Sequence, residues 1–203
     1  INGYNYKKKI IIDAKNSGTL GRLLLGLLID SPFSIKMIGD KSLSKRDFKR
    51  VSDPLSKFGA KFKLFKKKNL PLSISGSSNL NPIKYLENKG SAQCKSAVIL
   101  GAMRTEGETL IKAKKSRNHT ELLCKYLNLP IKVKRKKNYD EIKVKKVNYI
   151  KPFNYNIPSD ISSSAFFIVL TALSKDSKIT IKNVNINPSR TGIITILKKM
   201  GIQ

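Results

Sequence analysis

Residues 16–28 read Asn-Ser-Gly-Thr-Leu-Gly-Arg-Leu-Leu-Leu-Gly-Leu-Leu, and the order of elements that begins here recurs twice later in the chain. The small polar residues at its start are typical of a helix N-cap. The apolar residues that follow have helical i, i+3, i+4, i+7, i+8 spacing and predict a buried stripe: Leu20, Leu23, Leu24, Leu27 and Leu28. A strand is predicted over 33–38, and then a second helix that ends before Gly59. That helix is predicted to bury one face, made of Phe48, Val51, Leu55 and Phe58. A strand with Phe62 and Leu64 completes the unit.

Two further copies follow the same order of elements. In the second copy Ser91 is the predicted cap, Thr109-Leu110-Ile111 the strand, and the first helix is predicted to carry Cys94, Ala97 and Val98. Its second helix is predicted to face inward through Leu122, Leu123, Tyr126 and Leu127. In the third copy Ser159-Asp160 is the cap and Ile179-Thr180-Ile181 the strand, and its helices carry Ala165, Phe166, Val169 and Leu173, then Ile194, Leu197 and Met200.

Each copy contains a Ser/Arg loop, and the arginines Arg46, Arg117 and Arg190 are 71 and 73 residues apart. This period is too long for a solenoid and predicts an α/β (α+β) protein built from repeated βαβαββ units. The second copy has Asn128-Leu129-Pro130 where the others have glycine. The third copy stops at Gln203, where the other two continue into a lysine-rich strand, so we expect the chain to be a fragment.

The chain is strongly basic, with 41 Lys and Arg against 13 Asp and Glu and a formal net charge of +28. Such a charge points first to a polyanionic partner. Only seven of the basic residues are arginine, however, and the lysine excess accompanies abundant Ile and Asn, as AT-rich codons would supply. The lysine-rich runs 66–68 and 134–137 are therefore expected to be solvated loops. Aromatic residues make up 7% and tryptophan is absent, which disfavours base stacking.

The longest apolar stretches, such as 23–29, fall short of the roughly 20 residues of a membrane span. The sequence carries no signal-peptide pattern at Ile1, so we expect a cytoplasmic protein without a membrane partner. Cys94 and Cys124 form no CxxC or CxxH pair and lie in helical patterns, which predicts buried thiols and not a disulfide or metal site.

Six ordered motifs now resemble the 3-phosphoshikimate 1-carboxyvinyltransferase family over nearly the whole chain. The first four are Asn16-Ser17-Gly18-Thr19 with Arg22, the stretch from Gly39 to Arg46, Ser91-Ala92-Gln93 with Lys95-Ser96-Ala97, and Ser116-Arg117-Asn118-His119-Thr120-Glu121. The last two are Ile157-Pro158-Ser159-Asp160 with Ser162-Ser163, and Asn187-Pro188-Ser189-Arg190-Thr191-Gly192.

The resemblance implies an inside-out barrel fold of the enolpyruvyl transferases, with βαβαββ units arranged in two domains around a substrate cleft. It places most of one domain at 1–153, with repeat units 1–83 and 84–153. The first, truncated unit of the second domain is placed at 154–203. It also implies a protein that is a monomer when complete and that needs neither metal nor organic cofactor.

The resemblance implies transfer of the enolpyruvyl group from phosphoenolpyruvate to shikimate 3-phosphate. Both substrates are polyanions, which suits helix N-termini and arginine forks. The residues implied to bind phosphoenolpyruvate are Gly18, Arg46 and Gln93. Those implied to bind shikimate 3-phosphate are Ser91, Ala92, Gln93, Ser116 and Arg117. The family's proton-transfer residues are expected beyond Gln203, so no catalytic residue is assigned here.

Several nearby residues are excluded from these roles. Lys41 and Ser42 lie in a Gly-Asp-Lys-Ser string that matches the motif before Arg46 and not the family's similar N-terminal string. Asp47 stands where the family commonly has proline, so the loop that follows Arg46 departs from the family pattern. His119 is expected on the opening turn of a helix, and Asp160 is expected to be a helix cap.

Two alternatives remain open. The related enolpyruvyl transferase that acts on UDP-N-acetylglucosamine uses a reactive loop cysteine, whereas both cysteines here are predicted in helices. A basic nucleic-acid-binding module would use the lysine runs as its contact surface.

Overall fold

A computed structural model describes residues 10–202, and the chain divides into two compact units, Ile1–Ile150 and Lys151–Gln203. The larger unit contains two four-stranded sheets, each with two helices. A single hydrophobic core extends from Ala14 to Val144 and joins them.

The first sheet follows the predicted βαβαββ order. Its elements are β1 (Ile10–Asp13), α1 (Gly18–Leu27), β2 (Ser34–Ile38), a 3-10 turn (Leu43–Lys45), α2 (Lys49–Ser56), β3 (Lys61–Leu64) and β4 (Leu72–Ser75). The strands lie in the order β1-β2-β4-β3, and only β1 and β2 are parallel. The second helix is followed by Gly59 with φ +118°, a conformation that favours glycine.

The second sheet repeats this topology with new sequence. Its elements are β5 (Lys84–Glu87), α3 (Ala92–Ala102), β6 (Glu108–Lys114), α4 (His119–Tyr126), β7 (Ile131–Arg135) and β8 (Tyr139–Lys145). The order β5-β6-β8-β7 and the parallel β5–β6 pair match the first sheet strand for strand. The predicted fold class and the duplication are therefore confirmed.

The buried leucine stripe predicted for α1 is correct only in part, because Leu24 and Leu28 pack against the core and two other leucines do not. Leu20 is 46% exposed, Leu27 is similarly exposed, and the helix instead buries Leu25 and three glycines. The reason is the close approach of α3: a Cβ built on Gly26 would lie 2.2 Å from the carbonyl oxygen of Ala97. Glycine allows the two backbones to touch, so glycines form part of the buried face of α1.

The inward face predicted for α4 is also wrong. Leu122 and Leu123 are exposed, Tyr126 is 63% exposed, and the helix buries Glu121 and Cys124 instead. Glu121 can face inward because the ammonium group of Lys95 lies against it, and a paired charge is much cheaper to bury than a lone one.

The smaller unit contains α5 (Ile161–Leu173) and α6 (Gly192–Lys199). Asp160 caps α5 by accepting from the Ser162 amide, as expected. The predicted strand at 179–181 is wrong: among residues 151–202 the pairing is a single parallel bridge between Ser159 and Val184. The segment 179–181 has no ladder partner there, so its alternation of apolar residues does not produce a strand.

Candidate anion-binding site

The N-termini of α1 and α3 lie side by side at one end of the larger unit. Each has a serine cap: Ser17 Oγ accepts from the Leu20 amide at 3.1 Å, and Ser91 Oγ accepts from the Cys94 amide at 3.3 Å. The helices meet at their first turns, where Gln93 Nε2 donates to Thr19 Oγ1 at 2.7 Å. Two positive helix ends at one place form a natural site for a multiply charged anion.

Arg22 joins the two helices and the loop after β2. Its Nη1 donates to Gln93 Oε1 at 2.5 Å, its Nη2 donates to the Asp47 carbonyl at 3.3 Å, and its guanidinium lies 5.2 Å from the centre of the Phe48 ring. Burial lowers the pKa of this guanidinium, and the charge of Arg50 acts in the same direction. The motifs alone predict no role for Arg22, although it lies one helical turn after Gly18 in the first motif.

Gly18 and Arg46, both predicted to bind phosphoenolpyruvate, are brought together. A Cβ built on Gly18 would lie 3.0 Å from Arg22 Nη1 and 3.1 Å from Arg46 Nη1, so both guanidinium groups lie directly over this glycine. Arg46 Nη2 also donates to Asn16 Oδ1 at 3.2 Å. Gly18, the first residue of α1, therefore faces the guanidinium groups of Arg22 and Arg46, and a side chain at this position would fill the space in front of them.

The predicted Ser91-Ala92-Gln93 motif forms the start of α3. Ser91 is the N-cap, Ala92 is the first helical residue, and the Gln93 side chain is held at both ends, by Arg22 and by Thr19. An amide side chain has a second N–H and a second carbonyl lone pair, so Gln93 keeps the capacity to bind a ligand.

Ser116 and Arg117 lie in the turn between β6 and α4. Ser116 Oγ is buried and has no hydrogen-bond partner within residues 10–202. The Arg117 side chain is exposed, while its carbonyl accepts from Lys95 Nζ at 2.9 Å. This bond connects the turn to α3, which carries Ser91 and Gln93.

The other singled-out residues take the places expected of them. His119 is the first residue of α4, and Asp160 forms an ion pair with Arg190 in the smaller unit besides capping α5. Both cysteines are buried free thiols on helices. Burial, and then the charge of Glu121, raises the pKa of Cys124 to about 11.

Residues 10–202 contain no cluster of three or more His, Cys, Asp or Glu that could hold a metal ion. Within the same residues, no helix combines the length and the apolar character required to traverse a bilayer.

The fold is that of the enolpyruvyl transferases. It is shared with the enolpyruvyl transferase NikO from Streptomyces tendae at a TM-score of 0.64 and 14% identity, over 89% of this chain and 43% of that one. The family model for EPSP synthase (3-phosphoshikimate 1-carboxyvinyltransferase) matches residues 1–203, and the chain belongs to this family.

Individual relatives agree with this membership. The chain is 44% identical to a 3-phosphoshikimate 1-carboxyvinyltransferase from Caldicellulosiruptor saccharolyticus over 99% of its own length and 47% of the relative's. For the Leuconostoc mesenteroides protein of the same name the identity is 43%, over 95% and 44%. An EPSP synthase structure from Acinetobacter baumannii gives a TM-score of 0.81 at 38% identity, over 95% and 43%. The chain thus spans about half the length of the curated relatives it matches.

Proposed function

We propose that the protein to which this chain belongs transfers the enolpyruvyl group of phosphoenolpyruvate to the 5-hydroxyl of shikimate 3-phosphate and releases phosphate. The observation that carries the proposal is the pair of adjacent helix N-termini with two guanidinium groups over Gly18. Both substrates carry phosphate and carboxylate groups, and these are the groups that helix N-termini and arginine forks bind best.

Shikimate 3-phosphate is proposed to bind at the start of α3. The free amides of its first turn and the Ser91 hydroxyl would receive the phosphate and ring oxygens, with Ala92 leaving room for the ring and Gln93 donating from its amide. The buried Ser116 hydroxyl needs a partner, and a phosphate oxygen would provide one. The exposed Arg117 side chain would add a positive charge beside the phosphate.

Phosphoenolpyruvate is proposed to lie against Gly18, between the Arg46 guanidinium and Gln93. A Cβ at position 18 would occupy space beside both arginines, which explains why a glycine suits the start of α1. Gln93 would then contact both substrates, because Arg22 and Thr19 hold its side chain between the two helix ends.

In the proposed reaction the 5-hydroxyl attacks C2 of phosphoenolpyruvate while C3 gains a proton, and the tetrahedral adduct then loses phosphate. The residues of this chain would bind and orient the two anions and stabilise their charge. The proton-transfer groups are proposed to lie in the remainder of the enzyme. We also propose a cytoplasmic monomer that requires no metal or organic cofactor, with 1–153 as most of one domain and 154–203 as the start of the second.

The direct test is calorimetric titration of the 203-residue chain with shikimate 3-phosphate, with Ser91→Ala and Ser17→Ala as matched variants. Both changes remove a helix cap, so each should lower the free energy of unfolding by about 1 kcal/mol. Only Ser91→Ala should raise the dissociation constant, by about tenfold or more, since it alone removes a proposed ligand contact.

Inorganic phosphate serves as the control ligand and should bind far more weakly, because it lacks the ring and carboxylate. The assignment is wrong if the folded chain does not bind shikimate 3-phosphate. Equal losses of affinity in the Ser91 and Ser17 variants would also count against it.

The basic charge makes a nucleic-acid-binding module the competing function. Binding of a single-stranded oligonucleotide through lysine contacts should weaken steeply as salt rises, whereas binding of shikimate 3-phosphate in a built site should fall much less. Tight oligonucleotide binding at physiological salt, together with failure of the shikimate titration, would favour that alternative.

A further inference from the structure

A buried ion pair lies next to the proposed phosphate site, and the proposed chemistry does not use it. The Lys95 side chain is 0% exposed and that of Glu121 is 5% exposed, and Lys95 Nζ lies 2.6 Å from Glu121 Oε1. Apart from this ion pair, neither carboxylate oxygen of Glu121 has a hydrogen-bond partner within residues 10–202. Apolar residues of the same size often stabilise such a position as well or better, so stability alone does not explain the pair.

Lys95 makes a second contact, and it leads to the proposed site. Its Nζ donates to the Arg117 carbonyl at 2.9 Å, in the turn 115–118 that joins β6 to α4. We call this segment the 115–118 turn. It carries Ser116 and Arg117, the two residues proposed to complete the phosphate site from outside α3.

The backbone of Lys95 is hydrogen-bonded to Ser91, in the part of the proposed phosphate site that lies at the start of α3. Its amide donates to the Ser91 carbonyl at 3.1 Å, one helical turn from the cap of α3. One residue thus connects the start of α3 to the 115–118 turn, and its ammonium group is shielded from water. A charged hydrogen bond in such surroundings is stronger than one at the surface.

We propose that Lys95 is a positioning residue, with Glu121 as its counter-ion, that holds the 115–118 turn against α3 so that Ser116 faces the anion bound at Ser91. The identity of that anion rests on the proposed function, whereas the hold on the turn does not. The amine donor is needed because an apolar side chain at position 95 would fill the space but leave the Arg117 carbonyl without its donor.

Three variants separate positioning from stability. Lys95→Met/Glu121→Leu removes both charges, leaves none unpaired, and takes the donor from the Arg117 carbonyl. Glu121→Gln destabilises the fold by removing the counter-ion, but Lys95 still donates to the turn, because even a neutral amine is a donor. Thr120→Val is the control, since it removes the 2.6 Å hydroxyl contact with Ser96 between the same helices without touching the turn.

The first measurement is amide hydrogen exchange of residues 115–118 in the ligand-free chain, alongside urea unfolding. The double variant should exchange at least about tenfold faster in this segment at nearly unchanged global stability. Glu121→Gln should lose stability while exchange in the turn stays within about threefold of the original, and Thr120→Val should leave the turn unchanged.

The second measurement is calorimetric titration of the same variants with shikimate 3-phosphate. Affinity should fall about tenfold in the double variant and stay within about threefold of the original in Glu121→Gln. The more stable variant is thus expected to bind more weakly. Unchanged exchange of the turn in the double variant would overturn the proposal, as would affinities that follow stability. Loss of the fold in the double variant would also overturn it, because the pair would then be a stability element. If the turn loosens as expected but the original chain binds no shikimate 3-phosphate, the positioning role stands and the proposed function fails.

Discussion

Gly26→Ala should destabilise the larger unit more than the addition of one methyl group suggests. A Cβ at this position would lie 2.2 Å from the Ala97 carbonyl oxygen and 3.0 Å from its carbonyl carbon, and both are backbone atoms of α3. Neither can rotate away, so α1 and α3 must move apart. Overpacking of this kind costs typically 1–3 kcal/mol, and alanine regains about 1 kcal/mol of helix propensity. We expect a net loss of about 1 kcal/mol, rising to about 2 kcal/mol at the upper end of the overpacking range.

The assay is urea unfolding followed by circular dichroism, with Gly192→Ala as the matched control. Gly192 begins α6 and has no atom within 4 Å of a built Cβ, so the same substitution there should be neutral or stabilise by up to about 1 kcal/mol. The Gly26 variant should also bind shikimate 3-phosphate more weakly, because separation of the helices displaces Gln93 from Thr19. Equal stability of the two variants would refute the claim that the helices meet through glycine.

Three further predictions concern the site and its surroundings. Arg22→Leu should raise the dissociation constant of shikimate 3-phosphate about tenfold in calorimetry. The reason is that the Gln93 side chain loses a charge-assisted hydrogen bond worth about 1.5–3 kcal/mol. An unchanged dissociation constant would show that Arg22 does not orient Gln93. The folded pKa of Cys124 is about 11 against an ordinary 9.0, so the stability it contributes is complete below pH 9.0 and is lost as pH rises toward 11. In urea unfolding between about pH 8 and 10.5, the Cys124→Ala variant should therefore lose about 2 kcal/mol less stability than the original chain. Equal losses in the two proteins would contradict the burial of Cys124. In the complete enzyme Gly18→Ala should raise the KM for phosphoenolpyruvate and spare that for shikimate 3-phosphate, since the added methyl crowds only the arginine side of the site; equal losses would point to misfolding.

The repeat and the helix caps were predictable from sequence because they depend on local chemistry. A serine before an apolar helix has few roles other than a cap, and Ser17 and Ser91 both cap in the structure. The period between the arginine-containing loops also gave the βαβαββ duplication correctly. In both cases the residues that determine the structure are close in sequence or repeat along it.

The errors came from contacts between distant segments. Hydrophobic spacing placed all five leucines of the α1 stripe inside, although Leu20 and Leu27 are exposed, because the spacing does not indicate how closely a second helix approaches Gly26. In α4 the pattern gave the inward face to apolar residues, whereas Glu121 points inward because Lys95 lies there. A charged residue cannot be assigned to a core until its partner is known.

The candidate site was predicted in part. The motifs gave Gly18, Arg46, Ser91 and Gln93, and the structure brings these residues to one end of two packed helices. Arg22 and Lys95 were not given roles, since each acts through a residue on another segment, Gln93 or Arg117. Such links become visible only when the helices and the turn are placed together.

The most direct test of the proposed substrate site is a nuclear magnetic resonance titration of the isotopically labelled 203-residue chain with shikimate 3-phosphate. Saturable amide shifts are expected at the start of α3, at Ser91 to Gln93, and in the 115–118 turn, with little change at Arg104 near the opposite end of α3. Shifts spread evenly over the lysine-rich strands, or no shifts in a folded chain, would contradict the assignment of this end of the helices as the substrate site.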